Sequence, residues 1–255
     1  MARSLSEFTG DVTTIAEVVA ALSRIRDGAA EDLVQPEIDG ISAFSRLYTI
    51  ITQNVLDTVE GRKPARTFND PAFLTRLDLE FARRYLAAIH AHETGSPKAP
   101  VCWAVMFDRR RDQDVRHVNF AACGVNAHVN FDLAFALLET WKEFPPNEAR
   151  RADYDEINDI FAEEMDDLRE DFGAFLAGTR EGGILDKLGN FASDLVVRLT
   201  RSYAWDAAER VWQHYDPGQD GGGPEYQRAY ADELIGLDRA AHLAGLMLLE
   251  APALP

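Results

Sequence analysis

Apolar residues recur at helical spacing along almost the whole chain, and this pattern restricts the fold more than any other feature. The first apolar stripe lies before Gly28 and comprises Val12, Ile15, Val19, Leu22 and Ile25. Residues three or four positions apart share one face of an α-helix, so the stripe predicts an amphipathic helix that packs on a core. Similar stripes follow in nearly every later segment, and the sequence therefore predicts an all-α protein.

Glycines, prolines and capping residues divide the pattern into separate helices. A second apolar stripe follows Asp39-Gly40 and ends at Gly61. Asp70-Pro71 is typical of a helix start, with an N-cap aspartate followed by proline in the first turn. The helix that begins there is expected to run toward His92 and to end near Gly95.

The remaining segments complete a set of about seven helices. Residues 99–107 fit either a strand or a buried helix, and a capping-box-like pattern at Asp153 and Glu156 predicts the start of a long acidic helix. Two more helices are expected at about 186–215 and 225–250, and the second should pack centrally because 240–249 is almost wholly apolar. Residues 216–224 are rich in Gly and Pro and read as a connecting loop. We expect residues 1–255 to form one bundle-like all-α domain without a substantial sheet.

Composition excludes several classes of partner. The hydrophobic fraction of 46% suffices for a packed core, while the net charge of −17 opposes binding to phosphate backbones and anionic lipid surfaces. Cys102 and Cys123 both lie among apolar residues and are expected to be buried thiols rather than a disulfide. No stretch of 18 consecutive apolar residues occurs. These features predict a cytoplasmic protein with no nucleic-acid or membrane partner, and they leave the oligomeric state open.

The segment from Arg116 to Trp141 places polar residues in apolar surroundings. His-Val-Asn-Phe occurs there twice, at 117–120 and 128–131. We expect a buried helix that starts or breaks between Asn119 and Asn126. On one continuous helix the two histidines would share a face but lie roughly 16 Å apart, which is too far for one metal ion.

His128 and Asp132 are the leading candidates for chemistry in this segment. They are four residues apart, so their side chains are neighbours on a helix, and Asn126 and Asn130 form a second polar row beside them. A histidine and a carboxylate at this spacing suit a metal site, a general base with its orienting carboxylate, or a structural hydrogen bond inside a core. The residues alone leave these three interpretations open.

The stretch "GVNAHVNFDLAFAL" resembles a motif of the DUF5995 family of bacterial proteins, a helical family of unknown function. The likeness to its NAH-x-N-x-D-L signature falls on Asn126, His128, Asn130, Asp132 and Leu133. A weaker likeness occurs around Asp153, Asn158 and Asp159. The resemblance implies a helical fold and a role for His128 and Asp132, but no reaction.

Other polar residues are candidates to join them. Asp238 and His242 repeat the spacing in reverse order near the C-terminus, and an antiparallel neighbouring helix could bring the two pairs together. A divalent metal ion held by His128, Asp132, Asp238 and His242 is the one cofactor that this arrangement suggests. Further candidates to face the site are His117, Asp155, Asn158 and Asp159.

These observations predict a helical enzyme that acts on a small, largely apolar organic substrate. His128 would be the general base or a metal ligand, and Asp132 would orient it or bind the same metal. Asn126, Asn130 and Asn158 would position polar groups of the substrate. Hydrolysis, cyclisation and isomerisation all remain open. The alternative is a non-catalytic helical protein that binds a ligand or a partner and uses the same polar cluster to order its core.

Overall fold

The computed structural model describes residues 4–33, 39–63, 67–158 and 194–250, and every regular element in these ranges is helical. The elements are a short 3₁₀ helix Leu5–Phe8, α1 Ile15–Ala29, α2 Gly40–Val59, α3 Pro71–Glu93, α4 Val101–Arg109, α5 His117–Ala127, a π-helical turn His128–Asp132, α6 Leu133–Trp141, α7 148–158, α8 Asp194–Trp212, a second 3₁₀ helix Asp220–Gly222 and α9 Pro224–Glu250. The predicted all-α fold is confirmed, and residues 101–107 are helical rather than extended.

Capping side chains fix the starts of α1 and α3, and the start of α3 is the one that the sequence predicted. The Asp70 side chain accepts a hydrogen bond from the backbone N–H of Phe73, and Pro71 occupies the first turn of α3. Thr14 and Glu17 form a capping box at the start of α1. Such caps satisfy backbone N–H groups that have no partner inside the helix.

The predicted helix start at Asp153 is wrong. Helix α7 is already formed at residue 148, after Asn147, whose side-chain oxygen accepts a hydrogen bond from the backbone N–H of Arg150. The Asp153 carboxylate instead accepts hydrogen bonds from the backbone N–H groups of Asn69 and Asp70, at the start of α3. Asp153 therefore lies inside α7 and stabilises the segment that precedes α3, whose N-cap is Asp70. The rest of the predicted acidic helix lies outside the described residues.

Helices α5 and α6 form one continuous rod through the centre of the protein. The rod begins at His117, and its only departure from α-helical geometry is the π-helical turn at His128–Asp132. The predicted start or break between Asn119 and Asn126 is therefore wrong. The stretch Asn119–Trp141 is long and apolar enough to cross a membrane, but 83% of its window is buried within the protein, as in an ordinary core helix.

Close packing of α2 against α5 positions the π-helical turn. A Cβ atom at Gly124 would overlap the ring of Phe44, and one at Gly40 would overlap the ring of Phe120. The two glycines thus allow the backbones to approach. Behind them, Phe44 packs edge-on against Tyr85 and Trp103, with ring centroids 5.0 and 5.3 Å away.

Helix α9 does not pack centrally, which contradicts the prediction from its apolar sequence. It lies on α4 and α5 through one buried stripe with a four-residue repeat, formed by Leu237, Ala241, Gly245 and Leu249. Leu243 and Met247 on another face are 60% and 68% exposed. An apolar composition says how much of a helix can be buried, but only the arrangement of its neighbours decides which faces are covered.

Candidate functional site

A largely apolar cavity lies between α2, α3 and the π-helical turn, with contributions from α5, α6, α7 and α8. It offers about 70 Å³ for the centres of water-sized molecules. One such molecule needs at least 10–15 Å³ on this measure, so the space suits a few water molecules or a small organic molecule. The polar side chains that line it are Tyr48, Asp78, His128 and Arg201. An apolar cavity with a few convergent polar groups is typical of a small-molecule site.

The π-helical turn carries the histidine into this cavity and pairs it with an aspartate. The Nδ1 atom of His128 lies 2.9 Å from Oδ2 of Asp132. The Nε1–H of Trp103 donates to the same oxygen at 2.9 Å, and the Arg84 guanidinium lies 3.7 Å from the other oxygen. Asp132 is only 1% exposed, so its charge is balanced by these neighbours rather than by water. Turns of this π-helical kind are frequent at functional sites.

The pairing with Asp132 determines which nitrogen of His128 can accept a hydrogen bond. A carboxylate at Nδ1 holds the proton on that nitrogen, so Nε2 carries the lone pair. Nε2 is buried and has no hydrogen-bond partner among the described residues. Burial lowers the pKa of His128 and outweighs the opposing effect of Asp132, so the ring is neutral at neutral pH.

Aromatic rings hold the imidazole in place. The Phe81 ring stacks on His128 with centroids 3.5 Å apart and an angle of 6° between the planes. The Tyr48 ring lies 4.5 Å away and meets the imidazole edge-on. His128 is thus fixed by a carboxylate at one nitrogen and by rings on its sides, while its second nitrogen has no partner in the described part of the chain.

Asp78 is a functional candidate that the sequence analysis missed. The residue is partly exposed, but its Oδ2 atom is buried and has no hydrogen-bond partner in the described ranges. Burial raises the pKa of this carboxyl from 3.8 to about 7. The sequence contained a sign of this role, because Asp78 lies on the apolar stripe that α3 buries, four residues after Leu74 and seven before Tyr85. A charged residue on a buried stripe marks a candidate site.

Arg201 was also missed, and it lies at the α8 wall of the cavity. It is 6% exposed, and its Nη2–H donates to the backbone oxygen of Tyr154 at 3.0 Å. The guanidinium also lies 4.2 Å above the centre of the Tyr154 ring. Its Nε atom is buried without a hydrogen-bond partner among the described residues. Nothing in the local sequence distinguishes this arginine from an exposed one, because burial arises from the packing of α7 on α8.

The asparagines of the motif hold helices together. Asn126 donates from Nδ2 to the backbone oxygen of Ala241 on α9 at 2.7 Å. Asn130 donates from its own Nδ2 to Oδ1 of Asn126 at 2.9 Å. Neither side chain is among those that line the cavity. In the structure, Asn126 and Asn130 thus connect α5 to α9. Their predicted contact with a substrate stays a prediction.

The other candidates from the sequence lie in different places. Asn158 is buried next to the lining residue Ile157, and its Oδ1 has no hydrogen-bond partner among the described residues. Asp155 forms an ion pair with Arg151 at 2.9 Å, with 42% of its side chain exposed. His117 is half-buried at the first position of α5. Asp159 lies outside the described residues.

Asp238 and His242 bind the start of α4. The Asp238 carboxylate accepts hydrogen bonds from the backbone N–H groups of Val101 and Cys102, at 3.1 and 2.9 Å. Nδ1 of His242 lies 3.1 Å from the backbone oxygen of Val101. Within the described ranges no three His, Cys, Asp or Glu residues come together in a group that could hold a metal ion. The described residues therefore do not assemble the four-ligand metal centre that the sequence suggested.

The two cysteines are buried free thiols, as the sequence predicted. Burial raises the pKa of both, that of Cys123 to about 12. A thiol with a raised pKa stays protonated and is a poor nucleophile.

Comparison with known proteins identifies a family but no activity. The model of a family described as "Family of unknown function (DUF5995)" matches residues 15–251. No curated protein and no solved structure matches the chain. Because the match spans nearly the whole sequence, the chain belongs to the DUF5995 family.

Proposed function

We propose that this chain is an enzyme that moves protons on a small, largely apolar organic substrate, with His128 as the general base and Asp78 as the general acid. One observation carries the proposal. Nε2 of His128 and Oδ2 of Asp78 are both buried without a partner among the described residues, and both side chains line the same apolar cavity. Burying polar groups without partners costs about 1–3 kcal/mol each, so a bound substrate that satisfies them accounts for their presence.

His128 has the properties of a general base. Its Nε2 carries a lone pair because Asp132 binds the proton on Nδ1, and its lowered pKa keeps it unprotonated at neutral pH. When it accepts a proton, the positive charge on the ring is stabilised by the Asp132 carboxylate 2.9 Å away. The pair can therefore remove a proton from a substrate carbon or oxygen atom.

Asp78 has the properties of the matching acid. With its pKa raised to about 7, a substantial share of its carboxyl groups is protonated at neutral pH. It can donate that proton to the substrate atom on which negative charge develops, such as a carbonyl oxygen. The step leaves His128 protonated and Asp78 ionised. Both groups are restored when His128 gives its proton to a carbon atom of the intermediate while Asp78 takes its proton back from the oxygen, or when a proton passes from His128 to Asp78 through water.

This division of roles fits isomerisation or cyclisation. Both reactions need one proton removed and one supplied, and neither needs a protein nucleophile. Asn126 and Asn130 contribute by joining α5 to α9, which keeps the π-helical turn in position. Metal ions have no part in the proposed steps.

Hydrogen exchange of small ketones in D₂O tests the proposal without knowledge of the natural substrate. Cyclohexanone, 2-hexanone and 4-oxopentanoate each lose an α-proton to a base when an acid binds the carbonyl oxygen, and NMR records the loss of the α-proton signal. We expect the wild-type protein to accelerate this exchange for at least one of the three. General acid–base catalysis contributes roughly 10²–10⁴-fold, so removal of either group should lower the rate strongly.

The controls separate catalysis from surface effects. His128→Gln and Asp78→Asn should each lose most of the acceleration, whereas Asp155→Asn on the surface of α7 should keep it. If the wild-type protein accelerates none of the three exchanges, or if His128→Gln exchanges as fast as wild type, the proposal is wrong. Binding of the ketones without acceleration would favour the alternative of a non-catalytic ligand-binding protein.

A further inference from the structure

We propose that the ligand of this cavity is a carboxylate with a small apolar body and that Arg201 binds its carboxylate group. The inference deepens the proposed function by naming the class of ligand, but it concerns binding alone and holds whether or not the ligand is transformed. It stands on three observations: the environment of Arg201, the balance of the other charges around the cavity, and the size and nature of the wall.

The positive charge of Arg201 is buried without a described carboxylate partner. Within the described part of the chain, its guanidinium contacts the backbone oxygen and the aromatic ring of one residue, Tyr154. Among the described residues no aspartate or glutamate forms an ion pair with it, although other buried or half-buried arginines such as Arg110 have one. Taking a guanidinium out of water is costly unless hydrogen bonds and an opposite charge replace the hydration. An anionic ligand would supply both at the unpartnered Nε.

The other charges near the cavity are already balanced. The Asp132 carboxylate has Arg84 at 3.7 Å and accepts hydrogen bonds from Trp103 and His128. Asp78 is uncharged when its carboxyl holds its proton, and His128 is neutral. Arg201 is the one cationic side chain among the described residues that line the cavity. With Asp78 protonated, the described wall therefore has an excess positive charge that a single negative charge on the ligand would cancel.

The rest of the wall selects a small ligand with an apolar body. Most lining side chains are aliphatic or aromatic, and the available space is about 70 Å³ for the centres of water-sized molecules. One arginine presents a planar fork that matches the two oxygens of a carboxylate. A phosphate group with two negative charges would leave one charge unbalanced in this apolar surrounding. A monocarboxylate fits both the charge and the space.

Matched pairs of ligands test the inference on the wild-type protein. Benzoate and hexanoate are compared with benzamide and hexanamide, which have nearly the same shape but no charge. The comparison is made at constant ionic strength and at pH 6, below the raised pKa of Asp78 of about 7, so that Asp78 is mostly protonated while both acids are ionised. Isothermal calorimetry gives the dissociation constants. We expect each carboxylate to bind about tenfold or more tightly than its amide, because a charge-assisted hydrogen bond replaces a neutral one.

Variants locate the preference at Arg201. Arg201→Gln should bind acid and amide equally, and Arg201→Lys should keep a reduced preference because it retains the charge but loses the fork. Arg210→Gln, nine residues further along α8 and ion-paired with Glu233 at the surface, is the matched control and should keep the full preference. Should the glutamine variant fail to fold, the comparison of ligands on wild-type protein still decides the question.

Two outcomes would overturn the inference. Amides that bind as tightly as the carboxylates would show that Arg201 does not select charge, and carboxylates that do not bind at all would show that the cavity is not a carboxylate site. His128→Gln separates this inference from the proposed function, because the variant should lose ketone exchange and keep the preference for carboxylates.

Discussion

His128 with Asp132 and His242 with Asp238 are both histidine–aspartate pairs one helical turn apart, but their side chains have different partners. In the first pair the two side chains bind each other, and the second nitrogen of the imidazole faces a cavity without a described partner. In the second pair both side chains bind backbone groups at the start of α4. Spacing therefore decides which side chains are neighbours, and the tertiary surroundings decide whether a reactive atom remains free.

The largest expected difference between the pairs is in catalysis. His128→Gln keeps a polar side chain of similar length but removes the general base, so it should lower the rate of ketone exchange by about 100-fold or more. His242→Gln should leave the rate within about twofold of wild type, because His242 binds the backbone of α4 and is not among the described residues that line the cavity. Rates from NMR exchange in D₂O check both. Equal losses in the two variants would remove the functional distinction between the pairs.

Asp132→Asn should lower the exchange rate by roughly 10- to 100-fold. The amide nearly preserves volume and hydrogen-bonding reach, but it no longer stabilises the positive charge that develops on His128. Thermal melting, followed by circular dichroism, should show a smaller change than the rate. A variant that mainly loses stability and keeps its rate per folded molecule would instead support a structural role for the pair.

The pH profile of exchange should be bell-shaped, and Asp78 should set its alkaline side. Activity requires a protonated Asp78, so the rate should fall by up to about tenfold per pH unit above the raised pKa of about 7. At low pH the rate should fall as His128 becomes protonated below its lowered pKa. Asp78→Asn should be slower throughout and should lack the alkaline fall. If the rate of this variant still falls at high pH as in wild type, the alkaline fall belongs to another group.

Asp78 should also make wild-type stability depend on pH. Its folded pKa of about 7 lies above the ordinary value of 3.8, so the folded state binds the proton more tightly than the unfolded state. Stability should therefore decline as pH rises from about 4 to about 7 and level off above that. Between pH 5 and pH 8 the free energy of unfolding of the wild type, measured in urea, should fall by on the order of 2 kcal/mol more than that of Asp78→Asn. Parallel pH dependence in both proteins would contradict the raised pKa.

The smallest expected effect concerns the second pair. Asp238→Ala removes the side chain that accepts from two backbone N–H groups at the start of α4. Loss of such a cap costs about 0.5–2 kcal/mol, and the ketone exchange rate should not change. Denaturant unfolding and NMR exchange on the same sample measure both quantities. A clear fall in rate with unchanged stability would place Asp238 in the functional site after all.

Much of the local structure followed from the sequence because it depends on neighbours in the chain. Helical periodicity predicted α1, α2 and α3, and Asp70-Pro71 predicted the start of α3. The spacing of His128 and Asp132 predicted that the two side chains are neighbours, and they form a hydrogen bond across the π-helical turn. These features need only the geometry of one helix.

Errors arose where a side chain contacts a distant segment. Asp153 was expected to cap its own helix, but it lies inside α7 and binds backbone N–H groups at the start of α3. The apolar segment of α9 was expected at the centre, yet Met247 is 68% exposed. Asp238 and His242 were expected to line one cavity with His128, but neither is among the described lining residues, and both bind the start of α4. In each case the local pattern allows several distant partners, and only the packing of helices selects one.

The sequence by itself determined the helical periodicity, the start of α3 at Asp70-Pro71 and the one-turn pairing of His128 with Asp132, because backbone geometry fixes these over a few residues. Tertiary structure alone brought Asp78 of α3 and Arg201 of α8 to the cavity that His128 faces. Burial then lowered the pKa of His128 and raised that of Asp78. Both pKa values shift because the side chains lose contact with water. That loss is caused by atoms that are remote in the chain and close in space. The chemistry of the site therefore became visible only in the folded protein.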